Sequence, residues 1–456
     1  MAVDASVDKK AGFGMGSVGG GYQESNKQSS KAVVSNIKSG GGLTIDAGNN
    51  ASFEGTKIDA KGDAAISAKN NLTFNAARDT SSGSSLSVSA ELSGTQSKSS
   101  SSTSTNTKAE VGFGMSQSES SNAVAGSINS GGNLRLSSGK DTTLEGTDVN
   151  AKGKTSVNVG GNLNVKEAQS TSTEWGVGVG VAGANKTKSG TDKEGKSIDS
   201  STTDLKDASK NSASVSGSKS SIAKVGSLAG GAGLEINTAG DANFVGTKLS
   251  GGQGDVTIAA GGDVSFKAAQ SSKIGGAVGG AFSGEGAVLN RADISGGVSN
   301  QVTNIESGGN VKVQSGGTIG LQGTQVKSQG AVNLSAAEGI VEQNAVGGGA
   351  SLGLTKAGAN VSDTKTKIEA KNGVQKNTSG VSSPIKAVVP IPANLPEGKK
   401  VEAKTADGKP LPSWVKFDPA TGALSGTPPA DFKGKLNIIV NVPQMDGTTK
   451  AIPVSW

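Results

Sequence analysis

The sequence predicts an all-β protein: an elongated repeat solenoid of the right-handed parallel β-helix type, followed by a small β-sandwich. Three observations support this. A six-residue phrase recurs four times at long intervals, short strand patterns bounded by Gly flank each copy, and a Pro-rich composition begins at Pro384. A unit repeated at long intervals stacks into an extended array rather than folding around one thick core.

The repeated phrase has an apolar residue at each end and a Gly-Thr pair inside it. Its four copies are Phe53–Ile58, Leu144–Val149, Phe244–Leu249 and Leu321–Val326. Because alternate residues of a strand face the same side, we predict that the apolar ends point inward and stack on one another. Gly takes a positive φ at little cost, so we predict that the Gly of each copy forms a corner between short strands.

The spacing of the turns indicates the size of one coil. In every repeat about twenty residues separate the Gly that opens one strand from the Gly that opens the next, as from Gly132 to Gly153. This length holds several short strands and is typical of one coil of a β-helix, whose coils lie about 4.8 Å apart. Two coils in each of four repeats predict a rod at least roughly 40 Å long.

Different segments connect the repeats. Residues 80–108 and 186–221 are so rich in Ser and Thr that we predict long loops or mobile excursions. Gly alternates with apolar residues in Gly112–Met115 and Trp175–Val181. We predict that these alternating segments form hairpins or sheet-edge strands.

The start of the chain repeats a connector pattern, since Gly12–Met15 matches Gly112–Met115. We therefore predict that residues 1–36 are the tail of a repeat whose head is missing. The chain would then be the distal part of a longer protein or the product of a split reading frame. Its export signal would lie upstream, because residues 1–8 lack the apolar stretch of a signal peptide.

The predicted domains follow from these patterns. Residues 37–360 hold four repeats with their connectors, and residues 361–383 form a polar linker. Residues 384–456 have short strand patterns between Pro and Gly turns, which favours a small Ig-like sandwich. We predict that Trp414 and Phe417 fill its core.

Composition excludes several chemistries. The chain has no Cys and no His, so it lacks disulfides, thiolate metal sites and the commonest general base. No two acidic residues are adjacent, which disfavours the alternative of a β-helical polysaccharide-active enzyme. The net charge of +6 comes from scattered Lys residues, which disfavours nucleic-acid binding. We predict a protein that is not an enzyme and has no catalytic, cofactor-binding or metal residues.

Three short motifs match binding patterns but lack the required context. Gly190–Ser197 fits the P-loop pattern and Gly178–Gly183 fits GxGxxG, yet neither has a helix pattern after it. Gly251–Asp255 approaches the calcium-binding nonapeptide, but one residue is missing and no tandem copy follows. We predict no nucleotide and no metal at any of them.

The repeats resemble the haemagglutinin repeats of filamentous-haemagglutinin-like exoproteins. The resemblance covers residues 1–360 and rests on the repeated phrase, on the closing Lys166–Gln169 and Lys267–Gln270, and on the Ser-rich runs. The segment Leu411–Pro428 resembles the Ig-like, cadherin-like modules of bacterial surface proteins.

This resemblance implies a two-partner-secreted bacterial adhesin: a β-helical filament at the cell surface or released from it. Its expected partners are an outer-membrane transporter during secretion and a receptor or glycan on a host or neighbouring cell. The alternative is the stalk of a contact-dependent growth-inhibition toxin. The chain departs from the family pattern in two ways, because it lacks the N-terminal secretion domain and ends in an Ig-like module instead of a toxin.

Overall fold

The computed structural model describes residues 17–98, 102–191, 196–204, 211–283, 286–378, 385–389, 400–419, 421–426, 436–443 and 448–455. Throughout these residues the regular structure is β, in 42 strands. Three parallel sheets wind into a solenoid, one antiparallel sheet extends from it, and two small antiparallel sheets follow. The predicted all-β solenoid and sandwich are confirmed.

The three parallel sheets are the faces of the solenoid, and strands one coil apart are neighbours in each. The first face contains β2 (Asn36–Ser39), β5 (Lys57–Ala60), β10 (Ser127–Ser130), β13 (Asp148–Ala151), β19 (Ser227–Gly230), β22 (Lys248–Ser250), β27 (Asn304–Ser307), β30 (Gln325–Ser328) and β35 (Lys367–Ala370). The second contains β3 (Leu43–Ala47), β6 (Ala64–Ala68), β11 (Leu134–Ser138), β14 (Thr155–Val159), β20 (Leu234–Thr238), β23 (Val256–Ala260), β28 (Val311–Ser315), β31 (Val332–Ala336) and β36 (Val374–Asn377). The third contains β4 (Ala51–Glu54), β7 (Leu72–Asn75), β12 (Thr142–Glu145), β15 (Leu163–Lys166), β21 (Ala242–Val245), β24 (Val264–Lys267), β29 (Thr318–Gln322) and β32 (Gly339–Gln343).

The core of the solenoid consists of columns of identical or similar side chains, one from each coil. On the second face, one column is fully buried over six successive coils: Leu136, Val157, Ile236, Ile258, Val313 and Leu334. On the third face the rings of Phe244 and Phe266 stack 5.2 Å apart. Burying each such side chain contributes about 1.5–3 kcal/mol, so a thin core repeated along a rod stabilises this Gly-rich chain.

Polar ladders hold the coils together at the turns. At the corner before the third face, a side-chain Oδ1 of each coil accepts the backbone N–H of the next coil at 2.7–3.2 Å. The accepting residues are Asn50, Asn71, Asp141, Asn162, Asp241 and Asp263. Because each side chain accepts a backbone N–H of the next coil, the ladder fixes the turn conformation as well as the coil spacing.

The antiparallel sheet, which we call the wing, is built from the segments between repeats. Its strands in spatial order are β1 (Ser17–Ser30), β8 (Ala77–Lys98), β9 (Ser102–Val124), β16 (Ala168–Thr191), β18 (Ser212–Lys224), β25 (Ala269–Ser283), β26 (Gly286–Gln301), β33 (Ala345–Gly353) and β34 (Ala357–Thr364), and β17 (Ser197–Asp204) also pairs with β16. The predicted hairpins are therefore present.

The loops predicted over 80–108 and 186–221 are wrong for the described residues. Most of both segments lies in wing strands, such as β8 and β9, which pair over their whole length from Ala77 with Val124 to Lys98 with Thr103. These Ser- and Thr-rich segments form strands because, except for β17, each wing strand in them has a partner on both sides, and the ladder hydrogen bonds satisfy the backbone groups. Gly12–Met15 lies outside the described residues.

The described part of the segment predicted as a linker, 361–378, also differs from expectation. It contains the end of β34 and then β35 and β36, which pair in parallel with β30 and β31. These strands add a ninth level to two faces of the solenoid. Their side chains are exposed or half-buried, which explains why the sequence there reads as polar.

The C-terminal module has two three-stranded antiparallel sheets. They are built from β37 (Ile385–Val388), β38 (Glu402–Thr405), β39 (Val415–Asp418), β40 (Ala423–Gly426), β41 (Asn437–Pro443) and β42 (Thr449–Ser455). Leu424, Ile438 and Val440 are buried in its core. Trp414 and Phe417 are partly buried and pack against that core, as predicted.

Candidate binding surface

The wing is the most distinctive surface of the molecule. We call the points where its strands leave and re-enter the solenoid its roots, and a copy of the repeated phrase lies at each of them. The Gly of each copy has a φ of 56–61°, in the left-handed region. A Cβ at Gly246 would lie 2.6 Å from the Cβ of Ala269, where β25 leaves the solenoid, and 2.6 Å from Val225, where β18 has just returned. The phrase therefore forms the closed corner of one coil, and the wing strands depart and return directly beside it.

An ion-pair cluster ties the first two roots together. Glu145, whose side chain is 14% exposed, lies 3.3 Å from both the Arg78 guanidinium and the Lys166 ammonium group. Arg78 also donates to the backbone oxygen of Gln169 at 2.6 Å. These contacts link the third face of the solenoid to β8 and β16. Arg78 and Glu145, together with Ala32 and Glu54, border an open cleft of about 620 Å³.

One face of the wing is apolar and exposed. Cross-strand pairs place Val88, Phe113 and Val179 in one row and Met115, Val177 and Val215 in the next. Nineteen large apolar side chains on this face are at least 37% exposed: Val18, Tyr22, Val88, Leu92, Val111, Phe113, Met115, Trp175, Val179, Val181, Val215, Ile274, Val278, Leu289, Ile294, Val298, Val346, Leu352 and Val361. We call this set the apolar band.

The opposite face of the wing carries small residues. Between the rows of the apolar band lie Gly114, Gly178 and Ser214 in one row and Ser116, Gly176 and Ser216 in another. We call this the small-residue face; two large apolar side chains, Ile222 and Val288, are exposed on it. The alternation of Gly with apolar residues, which the sequence shows plainly, is thus the signature of a sheet with one apolar and one small-residue side.

Polar groups border the apolar band. The Tyr22 hydroxyl donates to Glu24 at 2.9 Å, and this hydrogen bond raises the pKa of Tyr22. Near the roots of β18, β25 and β26 a shallow cleft of about 770 Å³ is lined mainly by Ser, Gly and Asn, with Ile222 and Val298 among its lining residues. These groups could form hydrogen bonds with a bound molecule but do not converge on a reacting centre.

The three motifs lie in structure that does not match their binding function. Gly190 and Thr191 end β16 and Ser197 begins β17, so the P-loop pattern spans a strand-to-strand connection, with 192–195 outside the described residues. The GxGxxG pattern at Gly178 lies within β16. Asp255, in the calcium-like pattern, accepts the backbone N–H of Asn310 at 2.6 Å as part of a polar ladder.

Sequence reasoning named no site residues, and the described residues contain no cluster of three or more potential metal ligands. The alternating segments named in the sequence analysis contain part of the apolar band, but the sequence pattern alone did not predict a binding surface. The missed signal was the matching phase of the Gly alternation in Gly112–Met115 and Trp175–Val181. Among the described residues, no helix is long and apolar enough to cross a membrane.

Comparisons with known proteins agree with this architecture. A family model for the Hemagglutinin repeat matches residues 16–181 and 290–346, and a model for an Ig domain matches residues 366–456. The third repeat, between the two matched spans of the first model, forms the same coils as the others. No solved structure gives a significant match to the chain.

Two curated relatives are hemolysins. One from Serratia marcescens is 29% identical over 463 residues, which covers 95% of this chain and 25% of the relative. One from Proteus mirabilis is 26% identical over 175 residues, which covers 36% of this chain and 11% of the relative. The chain therefore spans a quarter or less of the length of these relatives.

Proposed function

We propose that this chain, which matches models for the Hemagglutinin repeat and for an Ig domain, is the structural and binding segment of a secreted bacterial surface adhesin. In this proposal the solenoid is a rigid spacer without enzymatic activity, and an outer-membrane transporter exports the protein. The observation that carries it is the wing, a ten-stranded sheet held out from the solenoid with side chains of both faces accessible.

We assign attachment to the small-residue face. Rows of Ser hydroxyls such as those of Ser116, Ser214 and Ser216 alternate there with Gly, so a ligand can approach the sheet closely. Hydroxyl groups both donate and accept hydrogen bonds, which suits a hydroxyl-rich ligand such as a cell-surface glycan. Contacts repeated along a rigid sheet add up to firm attachment even when each one is weak.

Beads coated with the full chain test this proposal. We expect them to be retained on erythrocytes or epithelial cells, and we expect beads carrying Ser214→Glu/Ser216→Glu to be retained less. Val215→Thr, on the other face of the same strand, is the matched control. Retention of the wild-type beads no higher than that of albumin-coated beads would contradict adhesion.

The names of the two relatives favour a second candidate, a segment of a hemolysin. The same erythrocyte samples distinguish it, because release of haemoglobin measures lysis while retained beads measure attachment. The growth-inhibition stalk is tested separately by deleting the coding region in a producing strain. Unchanged competition together with lost attachment supports the adhesin.

A further inference from the structure

The apolar band has the size of the largest apolar patches on ordinary monomers, which often mark a functional surface. The path of the wing has nine strands about 4.8 Å apart, and each of them contributes one to three side chains to the band at alternate positions about 6.8 Å apart. At about 33 Å² of sheet for each position, the nineteen side chains cover roughly 600 Å². The largest patch on a typical soluble monomer is about 300–600 Å².

We propose that the apolar band is the docking surface for the apolar band of a second copy of this chain. A standard protein–protein interface buries about 600–1,000 Å² on each partner, and the area of the band lies at the lower end of that range. The two wings would form a sandwich with about 10 Å between the sheets, the usual spacing of packed sheets. A two-fold axis lying between the sheets brings the same surface of both copies together.

The shape and side chains of the band suit such packing. Val177, Val215 and Val278 lie side by side on β16, β18 and β25 near its centre. β-Branched side chains stand out from a pleated sheet and interdigitate with those of a facing sheet. Phe113 and Trp175 lie in the rows on either side of this one. They supply large aromatic side chains of the kind often found at the energetic centre of interfaces.

A lipid bilayer fits this surface less well. The wing is an open sheet whose edge strands, β1 and β34, carry unpaired backbone groups, and open sheet edges do not enter the hydrocarbon layer. The charged residues on this face of the wing include the carboxylates of Glu24, Glu119 and Asp363 at its border, besides Lys219 opposite Ile274. Carboxylates are repelled by anionic headgroups. A second wing presents neither difficulty.

Dimerisation places the two proposed surfaces on opposite sides of the wing. The apolar bands face each other, and the small-residue faces of both copies point outward. Dimerisation therefore does not depend on the proposed attachment, and it can be measured with the purified chain in the absence of cells.

Sedimentation velocity and light scattering on the full chain test the proposal. We expect a dimer at about 10 µM, because interfaces of this size bind with micromolar to picomolar affinity. The variant Val177→Thr/Val215→Thr/Val278→Thr keeps side-chain shape and strand propensity but adds hydroxyls that must lose water in the interface. We expect its dimer dissociation constant to rise at least about 30-fold, in line with the loss of central contacts.

The matched control is Ser116→Thr/Ser214→Thr/Ser216→Thr on the small-residue face, which should leave the dimer unchanged. Circular dichroism of each variant checks that the sheets are intact. A wild-type chain that stays monomeric at about 100 µM, beyond the micromolar range of such interfaces, overturns the proposal. So does a monomer that floats with phosphatidylcholine vesicles, which would assign the band to lipid. Equal weakening by the apolar-band and control variants also overturns it.

Discussion

Replacing Gly246 by Ala tests how the repeated phrase supports both the solenoid and the wing. Gly246 has a φ of 61°, and Ala in this region costs about 1–2 kcal/mol relative to Gly. The new Cβ would also lie 2.6 Å from Ala269 and from Val225 and 2.9 Å from the Gln301 oxygen. Three close neighbours on different chain segments leave little room for relaxation.

The expected decrease in the free energy of unfolding of Gly246→Ala has two causes. The backbone cost of about 1–2 kcal/mol adds to an overpacking cost of about 1–3 kcal/mol. The free energy of unfolding should therefore fall by about 2–5 kcal/mol, a large share of the 5–15 kcal/mol typical of folded domains. In a repeat protein each unit contacts its neighbours, so the destabilisation should be greatest around the third repeat.

Urea unfolding of the full chain, followed by circular dichroism, measures this loss, and hydrogen exchange locates it. Gly41→Ala is the matched control, since a Cβ there meets nothing within 4 Å and its φ is not in the left-handed region. We expect faster exchange at the roots of β18 and β25 in Gly246→Ala alone. A loss below about 0.5 kcal/mol, the usual range of surface substitutions, would refute the reasoning.

Three further predictions concern the core, the ladder and a surface ion pair. Phe244→Ala removes a fully buried ring and should lower the free energy of unfolding by about 3–5 kcal/mol in urea titrations. Asn162→Ala removes the acceptor 2.8 Å from the Asp241 amide and should cost about 0.5–1.5 kcal/mol, with faster exchange of that amide. Hydrogen bonds from Lys409 and then from Thr405 lower the pKa of Asp407 from 3.8 to about 2, so this carboxylate favours the folded state at neutral pH and loses that effect as pH falls below 4 toward 2. NMR titration should give a midpoint near 2, and Lys409→Met should raise it.

Matched variants distinguish the loss of each assigned contact from nonspecific destabilisation of the fold. Phe113→Ala removes an exposed ring from the wing and should change the free energy of unfolding much less than Phe244→Ala. Asn162→Asp keeps an Oδ1 acceptor, as Asp141 and Asp241 do in equivalent coils, and should retain slow exchange. Equal effects within either pair would contradict the assigned contacts. An unchanged titration midpoint of Asp407 in Lys409→Met would contradict the assigned contact between these two residues.

The coils could be predicted from sequence because their signals are local. The copy at Phe244–Leu249 shows its inward ends and its corner Gly within six residues, and the structure buries both ends. The polar ladders were hidden, because Asn162 and Asp241 are far apart in sequence and a single Asn in a turn also fits an ordinary turn. Their pairing follows only from the stacking of coils.

The wing could not be predicted to the same depth. Its Ser- and Thr-rich strands have no apolar face of their own at 80–84 or 102–107, and they become strands because partners on both sides satisfy their backbone groups. The apolar band could have been recognised only by aligning Phe113 with Val179, and Val177 with Val215, across neighbouring strands. That alignment is fixed by the solenoid.

The match between wing and solenoid explains why each repeat has two coils. The wing path has nine strands, and so do the first and second faces, because every coil level sends out or receives one wing strand. A strand leaves after the second coil of a repeat and returns before the first coil of the next, so wing strands have the same spacing as coils, about 4.8 Å. With one coil per repeat, two wing strands would have to share each coil level. With three coils per repeat, one coil level in three would have no wing strand.

This relation predicts opposite outcomes for two deletions. Removing 142–162 takes out one coil in register, since Thr142 pairs with Leu163, and leaves β9 and β16 competing for one level. Removing 134–233 takes out two coils together with β16 and β18, and joins β10 directly to β20. We expect the shorter deletion to lower the midpoint of urea unfolding far more than the longer one. The opposite order would show that the wing strands do not take their spacing from the coils.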